Sequence, residues 1–122
     1  MILVLVALAG GLGASCRFLV DGVIRSRTSG VFPFGTVAIN VSGSLVLGLI
    51  TGLTLARTAP AELQLIAGTG FLGGYTTFST ASFETVRLVQ EGRTRAALLN
   101  GFGTLVVTAV AAAVGLALGL ST

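Results

Sequence analysis

The sequence predicts an all-α membrane protein with four transmembrane helices in one domain, and three observations predict it. Of the 122 residues, 53% are hydrophobic and 9% charged, and the mean hydropathy is +1.01, too little charge to solvate a globular surface. The apolar residues form four runs, each near the roughly 20 residues that a helix needs to cross a bilayer. The connecting stretches are short and leave no length for a soluble domain.

The first helix is expected from about Met1 to Ile24, with Arg17 and Asp21 one turn apart, placed to pair or to snorkel toward an interface. Its opening resembles a lipoprotein signal ending at Cys16, but it lacks a basic start and reads as a retained helix. After a polar loop from Arg25 to Gly30, the second helix is expected over 34–55, ending before Arg57 and the Thr58, Ala59, Pro60 turn. The third is expected over 62–89. Gly68, Gly70, Gly73 and Gly74, followed by Thr76 and Thr77, predict a break inside it. Irregular backbone at membrane depth is tolerated only where it is buried in protein or lines a watery cavity, so the break marks a candidate site. The fourth helix is expected over 94–120.

The seven basic residues are all Arg. They are scattered along the chain, which argues against nucleic acid as a partner and reads instead as topology anchors and a potential that favours anions. The first and third loops carry Arg25, Arg27, Arg87, Arg93 and Arg95 against Arg57 alone in the middle loop, so the positive-inside rule places both termini outside. With Cys16 the single cysteine and no His, an intrachain disulfide, a His/Cys metal site and a readily assembled nucleophile and base are all excluded, so an enzyme is not expected.

Gly68, Gly70 and Gly73 spell the G-x-G-x-x-G of dinucleotide-binding folds, but no strand precedes them and apolar membrane sequence flanks them. Gly48 with Gly52, and Gly10 with Gly13 and Ala14, sit at the spacing of close-packing faces between membrane helices. Polar residues are harder to dismiss. Asn40 is an amide in hydrocarbon, read either as an interhelical hydrogen bond or as a pore donor. Asn100, Thr104 and Thr108 recur every fourth residue and form one stripe of hydrogen-bond donors on an otherwise apolar helix, which suits a dehydrated anion. The run from Gly73 through Tyr75, Thr76, Thr77, Phe78 and Ser79 to Thr80 packs bare backbone, hydroxyls and aromatics into the expected break.

In order, Gly10, Gly11, Gly13, Ala14 and Arg17, then Gly35, Thr36 and Asn40, then Gly73 to Thr80 with Glu84 beyond, resemble the small bacterial fluoride channels of the CrcB/Fluc type over the whole chain. That resemblance implies a dual-topology dimer in which two antiparallel subunits, identical or paired with a related chain, form two pores in the inner (plasma) membrane. It implies a structural sodium ion at the dimer centre, held by the backbone carbonyls of Gly73 and Thr76. It further implies a fluoride pore of Asn40, Thr77, Phe78, Ser79, Asn100, Thr104 and Thr108, with Arg17 near the vestibule, and the export of toxic fluoride from the cytoplasm. An aromatic edge is the positive side of the ring quadrupole, so a Phe78 edge suits an anion. Two departures stand out: Asn100 where the family often has Tyr, and Ala81, with Phe83 two further on, where it usually has a second Phe.

The main rival is a small four-helix proton-coupled multidrug exporter, which needs a carboxylate in the membrane interior. Asp21, Glu62, Glu84 and Glu91 are all expected near helix ends, against that reading. A non-transporting membrane scaffold would leave Asn40 and the threonine stripe without a purpose.

Overall fold

The computed structural model describes residues 1–28 and 32–122, apart from the side chains of 78–80. Regular structure among the described residues is helical throughout: α1 (Ile2–Arg27), α2 (Phe34–Leu55), α3 (residues 61–75), α4 (Phe78–Gln90) and α5 (Thr94–Leu120). By length and composition, three of them (α1, α2 and α5) suffice to cross a membrane. α1 continues past Ile24 to Arg27, absorbing residues expected in a loop. The stretch expected as one helix over 62–89 is divided into α3 and α4.

Local chemistry accounts for most boundaries. Pro33 precedes α2 and Pro60 precedes α3, where the missing N–H costs nothing because the first turn has no intrahelical acceptor. Gly92 closes α4 with φ 76, and the Arg93 N–H returns to the Leu88 carbonyl at 2.8 Å, a left-handed cap that glycine adopts without steric cost. Arg57 makes the corresponding turn after α2 with φ 60, bearing a Cβ in a region that non-glycine residues rarely occupy. The Gly68 to Leu72 stretch does not break. It lies within a π-wound segment, Gln64–Leu72, between the short α turns Ala61–Leu63 and Gly73–Tyr75. A second π turn, Leu99–Gly103, interrupts α5.

Two glycine seams hold the helices together. A methyl group on Gly48 would strike the Ala112 carbonyl oxygen, and one on Gly115 would strike that of Leu45, so α2 and α5 meet backbone to backbone. In the same way Gly13 faces the Phe71 carbonyl and Gly74 the Gly10 carbonyl, joining α1 to α3. Without a hydrophobic drive in lipid, such close van der Waals contact is what associates membrane helices. Leu3, Leu8, Leu12 and Leu19 on α1 and Val106, Val110 and Leu118 on α5 point outward. The buried set is polar in proportion, with Thr36, Asn40, Thr77, Glu84 and Asn100 beside Ile39, Leu72, Leu88 and Ala97. This arrangement places the polar residues inside and the large aliphatics outside, which suits a chain solvated by lipid.

Candidate functional site

Between α3 and α4 the chain leaves helical geometry for two residues. α3 ends at Tyr75, Thr76 is extended with ψ 155, and α4 starts at Phe78. Asn40, buried on α2, holds this joint from the side: its Nδ2 donates to the Thr77 carbonyl at 3.0 Å and its Oδ1 accepts from the Thr77 N–H at 2.9 Å. In a continuing helix the Thr77 N–H would bond four residues back, to Gly73. The Asn40 carboxamide takes that donor instead, so the Gly73 carbonyl is left at the C-terminal end of α3 without its helical partner. A methyl group on Gly73 would find no atom within 4 Å, whereas the Thr76 hydroxyl turns back to the Leu72 carbonyl at 2.9 Å.

The joint opens on a groove of about 500 Å³ between α2, α4 and α5, lined by Asn40, Thr76, Ala81, Thr85, Asn100 and Thr104 among others. None of its described lining residues is charged. The α5 stripe lies along it, but its three members are differently engaged. The Asn100 side chain reaches α4, where Nδ2 donates to the Thr85 hydroxyl at 2.7 Å and to the Ala81 carbonyl at 3.3 Å. Thr108 donates to the Thr104 carbonyl at 2.7 Å, within its own helix. Thr104 Oγ1 and Asn100 Oδ1 are both buried with no partner among the described residues. The hydroxyl of Thr104 is therefore the uncommitted donor of the stripe.

Arg17 lines a separate pocket of about 270 Å³ with Thr36, Ile39 and Thr77, behind the Asn40 clamp. It forms no ion pair with Asp21, which bonds to Arg25 at 2.9 Å instead. Both arginines lie four residues from Asp21, so spacing alone could not choose between them. Arg25 also approaches Glu84, at 3.7 Å. Glu84 is 3% exposed and accepts from the Thr36 hydroxyl at 2.6 Å. The expectation that Glu84 lies near a helix end is thus corrected: with α3 and α4 separated, it falls in the middle of α4 and inside the protein. Its surroundings form a pocket of about 410 Å³ that also includes Asp21, Arg25, Arg87 and Glu91. The side chains of Phe78 and Ser79 lie outside the described residues, and no group of three or more metal-ligating His, Cys, Asp or Glu occurs among the described ones.

Thr85 was not singled out from the sequence, although it anchors Asn100. Its only signal was its place one turn after Ala81, on the side where α5 must pack. Thr36 was more legible, since it lies one turn before Asn40 and shares its face.

A family model described as "CrcB-like protein, Camphor Resistance (CrcB)" matches residues 4–116. A protein named fluoride-specific ion channel FluC 1, from Leifsonia xyli subsp. xyli, is 56% identical over 98% of this chain and 87% of its own length. One named FluC 2 from Cutibacterium acnes is 49% identical over 98% of each chain. The FluC of Syntrophotalea carbinolica is 44% identical over 95% of each.

Proposed function

This chain belongs to the CrcB-like family, and on that premise we propose that it is one subunit of a fluoride-selective ion channel that lets fluoride leave the cytoplasm down its electrochemical gradient. The groove carries the reading: amide and hydroxyl groups set among apolar side chains such as Leu47, Val86 and Leu105, with no charged residue among the described lining. Fluoride is small and tightly hydrated, so a pore must replace its lost water with several close donors, and a carboxylate among them would oppose entry. Donors at fixed positions in a narrow path reject the larger chloride by fit. Relatives named as ion channels, not enzymes, agree with a chain whose chemistry is recognition alone.

The finer reading extends to assembly. Two subunits, antiparallel in the inner membrane and each crossing it four times with α3 and α4 as one interrupted span, would enclose two pores. α3 ends in carbonyls facing along its negative dipole end, of which Gly73 is released by the Asn40 clamp, and Thr76 is extended. Those carbonyls fit a hard cation such as sodium, which prefers oxygen ligands, and the ion would there tie the two subunits. Phe78, Thr77, Ser79 and Thr108 complete the fluoride path in this reading, with Arg17 drawing anions to its mouth. The uneven Arg distribution over the loops and Ala81 in place of an aromatic favour a related, oppositely oriented chain as the second subunit.

The test is fluoride efflux from liposomes holding only this purified chain, with chloride as control and Phe78→Ile as a variant. Selective efflux lost in the variant would establish a homodimeric channel through Phe78, and Ala81 would then be tolerated. Absence of efflux that appears on adding a second family member would establish the paired assembly. Absence under both conditions would sink the channel reading.

The buried Glu84 is the one observation favouring a proton-coupled exporter. Reversal potentials under a pH gradient separate the two. The expected potential follows the fluoride gradient alone, and a shift with the proton gradient would move the assignment to coupled transport.

A further inference from the structure

Most of the donors on the groove wall are already spent. Asn40 commits one amide hydrogen to the Thr77 carbonyl at 3.0 Å, and the Thr76 hydroxyl donates to the Leu72 carbonyl at 2.9 Å. The hydroxyls of Thr85 and Thr108 donate within their own helices. Asn100 Nδ2 has two hydrogens and two acceptors on α4, the Thr85 hydroxyl at 2.7 Å and the Ala81 carbonyl at 3.3 Å. The Thr104 hydroxyl is uncommitted, but it is buried so completely that nothing the size of a water or a fluoride ion can touch it. Apart from the second hydrogen of Asn40, that leaves Ser44 and Ser82, whose hydroxyls line the groove and bond to nothing among the described residues.

Ser82 departs from the habit of other hydroxyls in this chain. Ser15, Thr54, Thr85 and Thr108 each turn back to the carbonyl four residues earlier, the usual bond for a hydroxyl on a helix without a better partner. Ser82 has such a carbonyl at Phe78 and does not use it, and its side chain is exposed. The turn that carries it is also the one that α5 grips. Asn100 binds both ends of that turn, at Ala81 and Thr85, and the Thr85 hydroxyl closes the triangle onto the Ala81 carbonyl at 2.8 Å. Ser82 stands between the two anchor points. Asn100 Oδ1 is sealed in the packing, so the amide that fixes this turn has nothing left to offer the groove itself.

Resting on the channel reading, we infer that the Ser82 hydroxyl donates to the fluoride ion in the groove, and that Asn100 is a positioning residue that acts through it. Fluoride accepts and cannot donate, so it needs a hydroxyl whose proton is not already given away. Ser82 meets that condition and is open to the path. It also stands one turn past the start of α4 at Phe78, where N–H groups without helical acceptors leave a positive end. Ser44 is half-buried in the middle of α2, remote from either end of that helix, and is the weaker donor.

The test is fluoride efflux from liposomes holding the full chain in whichever pairing conducts. Ser82→Ala gives up no bond within the protein, so its fold is expected to stand. Its efflux is expected to fall roughly tenfold to a hundredfold, the range of one hydrogen bond to a charged acceptor. Ser82→Thr keeps the hydroxyl and is expected to restore most of the flux. Positioning is read from a double-mutant cycle: Asn100→Leu lowers efflux on its own but adds little to Ser82→Ala, because both act through one hydroxyl. If Asn100→Leu does not fold, Thr85→Val, which removes one anchor of the same turn, takes its place. Unchanged efflux from Ser82→Ala, or equal losses in Ser82→Ala and Ser82→Thr, would overturn the donor role. Additive losses in the cycle would overturn the positioning role. A wild-type chain that passes no fluoride, alone or with a family partner, would overturn the channel reading and the inference that rests on it.

Discussion

Gly115→Val is expected to prevent α5 from docking and to leave little folded protein. A Cβ at this position would strike the Leu45 carbonyl oxygen and stand 2.8 Å from the Leu49 nitrogen. Both are backbone atoms of α2, so no rotamer change can make room, and the helices must separate along the whole seam. Gly48 and Gly52 on α2 and Gly119 on α5 are equally closed by facing backbone, and separation at one site loosens the others. Overpacking a well-fitted core costs about 1–3 kcal/mol or more, and here it falls on the main contact between two apolar helices. We expect the upper end of that range or beyond, read as a lower denaturant midpoint and loss of the monodisperse peak in mild detergent. Gly22→Ala is the control: nothing lies within 4 Å of its added methyl, and a glycine replaced by alanine in a helix gains up to about 1 kcal/mol. A Gly115→Val protein as stable as the wild type would show that the seam does not hold the fold together.

The seam was legible because small residues at helical spacing have few other uses in an apolar span. Helix identity was legible for the same kind of reason: α2 is bounded by Pro33 on one side and by the Arg57 turn on the other. The position at which the third segment leaves helical geometry was legible in part: Thr76 and Thr77 fall in the stretch expected to break, whereas Gly68 and Gly70, also named there, stay in the helix. Gly68 and Gly70 read as helix breakers because glycine weakens helices in water, whereas hydrocarbon offers the backbone no competing partner and keeps it hydrogen-bonded internally. The chain leaves the helix at Thr76, where a side chain from another helix supplies the alternative bonds. Such a partner lies 37 residues away in sequence, so no local pattern announces it.

Candidate site residues divide along the same line. The face shared by Asn100, Thr104 and Thr108 follows from spacing. Which of their donors remain available does not, because it depends on whether a carbonyl such as that of Ala81 lies within reach. Glu84 shows the cost of an error upstream: read within one long helix ending at Val89 it sits near an end, and once α4 is its own helix it sits inside.

The Asn40 clamp leads to the second large effect. Asn40→Leu keeps the side chain's branching and number of heavy atoms and removes both bonds to Thr77. The Thr77 N–H then loses its acceptor on α2 and has another four residues back, the Gly73 carbonyl, which it reaches by continuing α3 through the joint. That change would withdraw the carbonyl from the end of α3, rotate α4 and swing Ala81 and Thr85 out of register with Asn100. Two buried hydrogen bonds, one of them replaced, leave one buried group unsatisfied, which corresponds to about 1–3 kcal/mol, or roughly 5- to 150-fold in fluoride efflux if the open joint is required for passage. Asn40→Asp retains the acceptor for the Thr77 N–H but sets a second oxygen against the Thr77 carbonyl, so it is expected to fail as well. Ser44→Ala, on the same wall of the groove one turn along α2, removes a hydroxyl without touching the joint and should change efflux only slightly. If Asn40→Leu conducted as well as the wild type while Ser44→Ala did not, the path would be set by the groove's hydroxyls and the joint would be only a link between two helices.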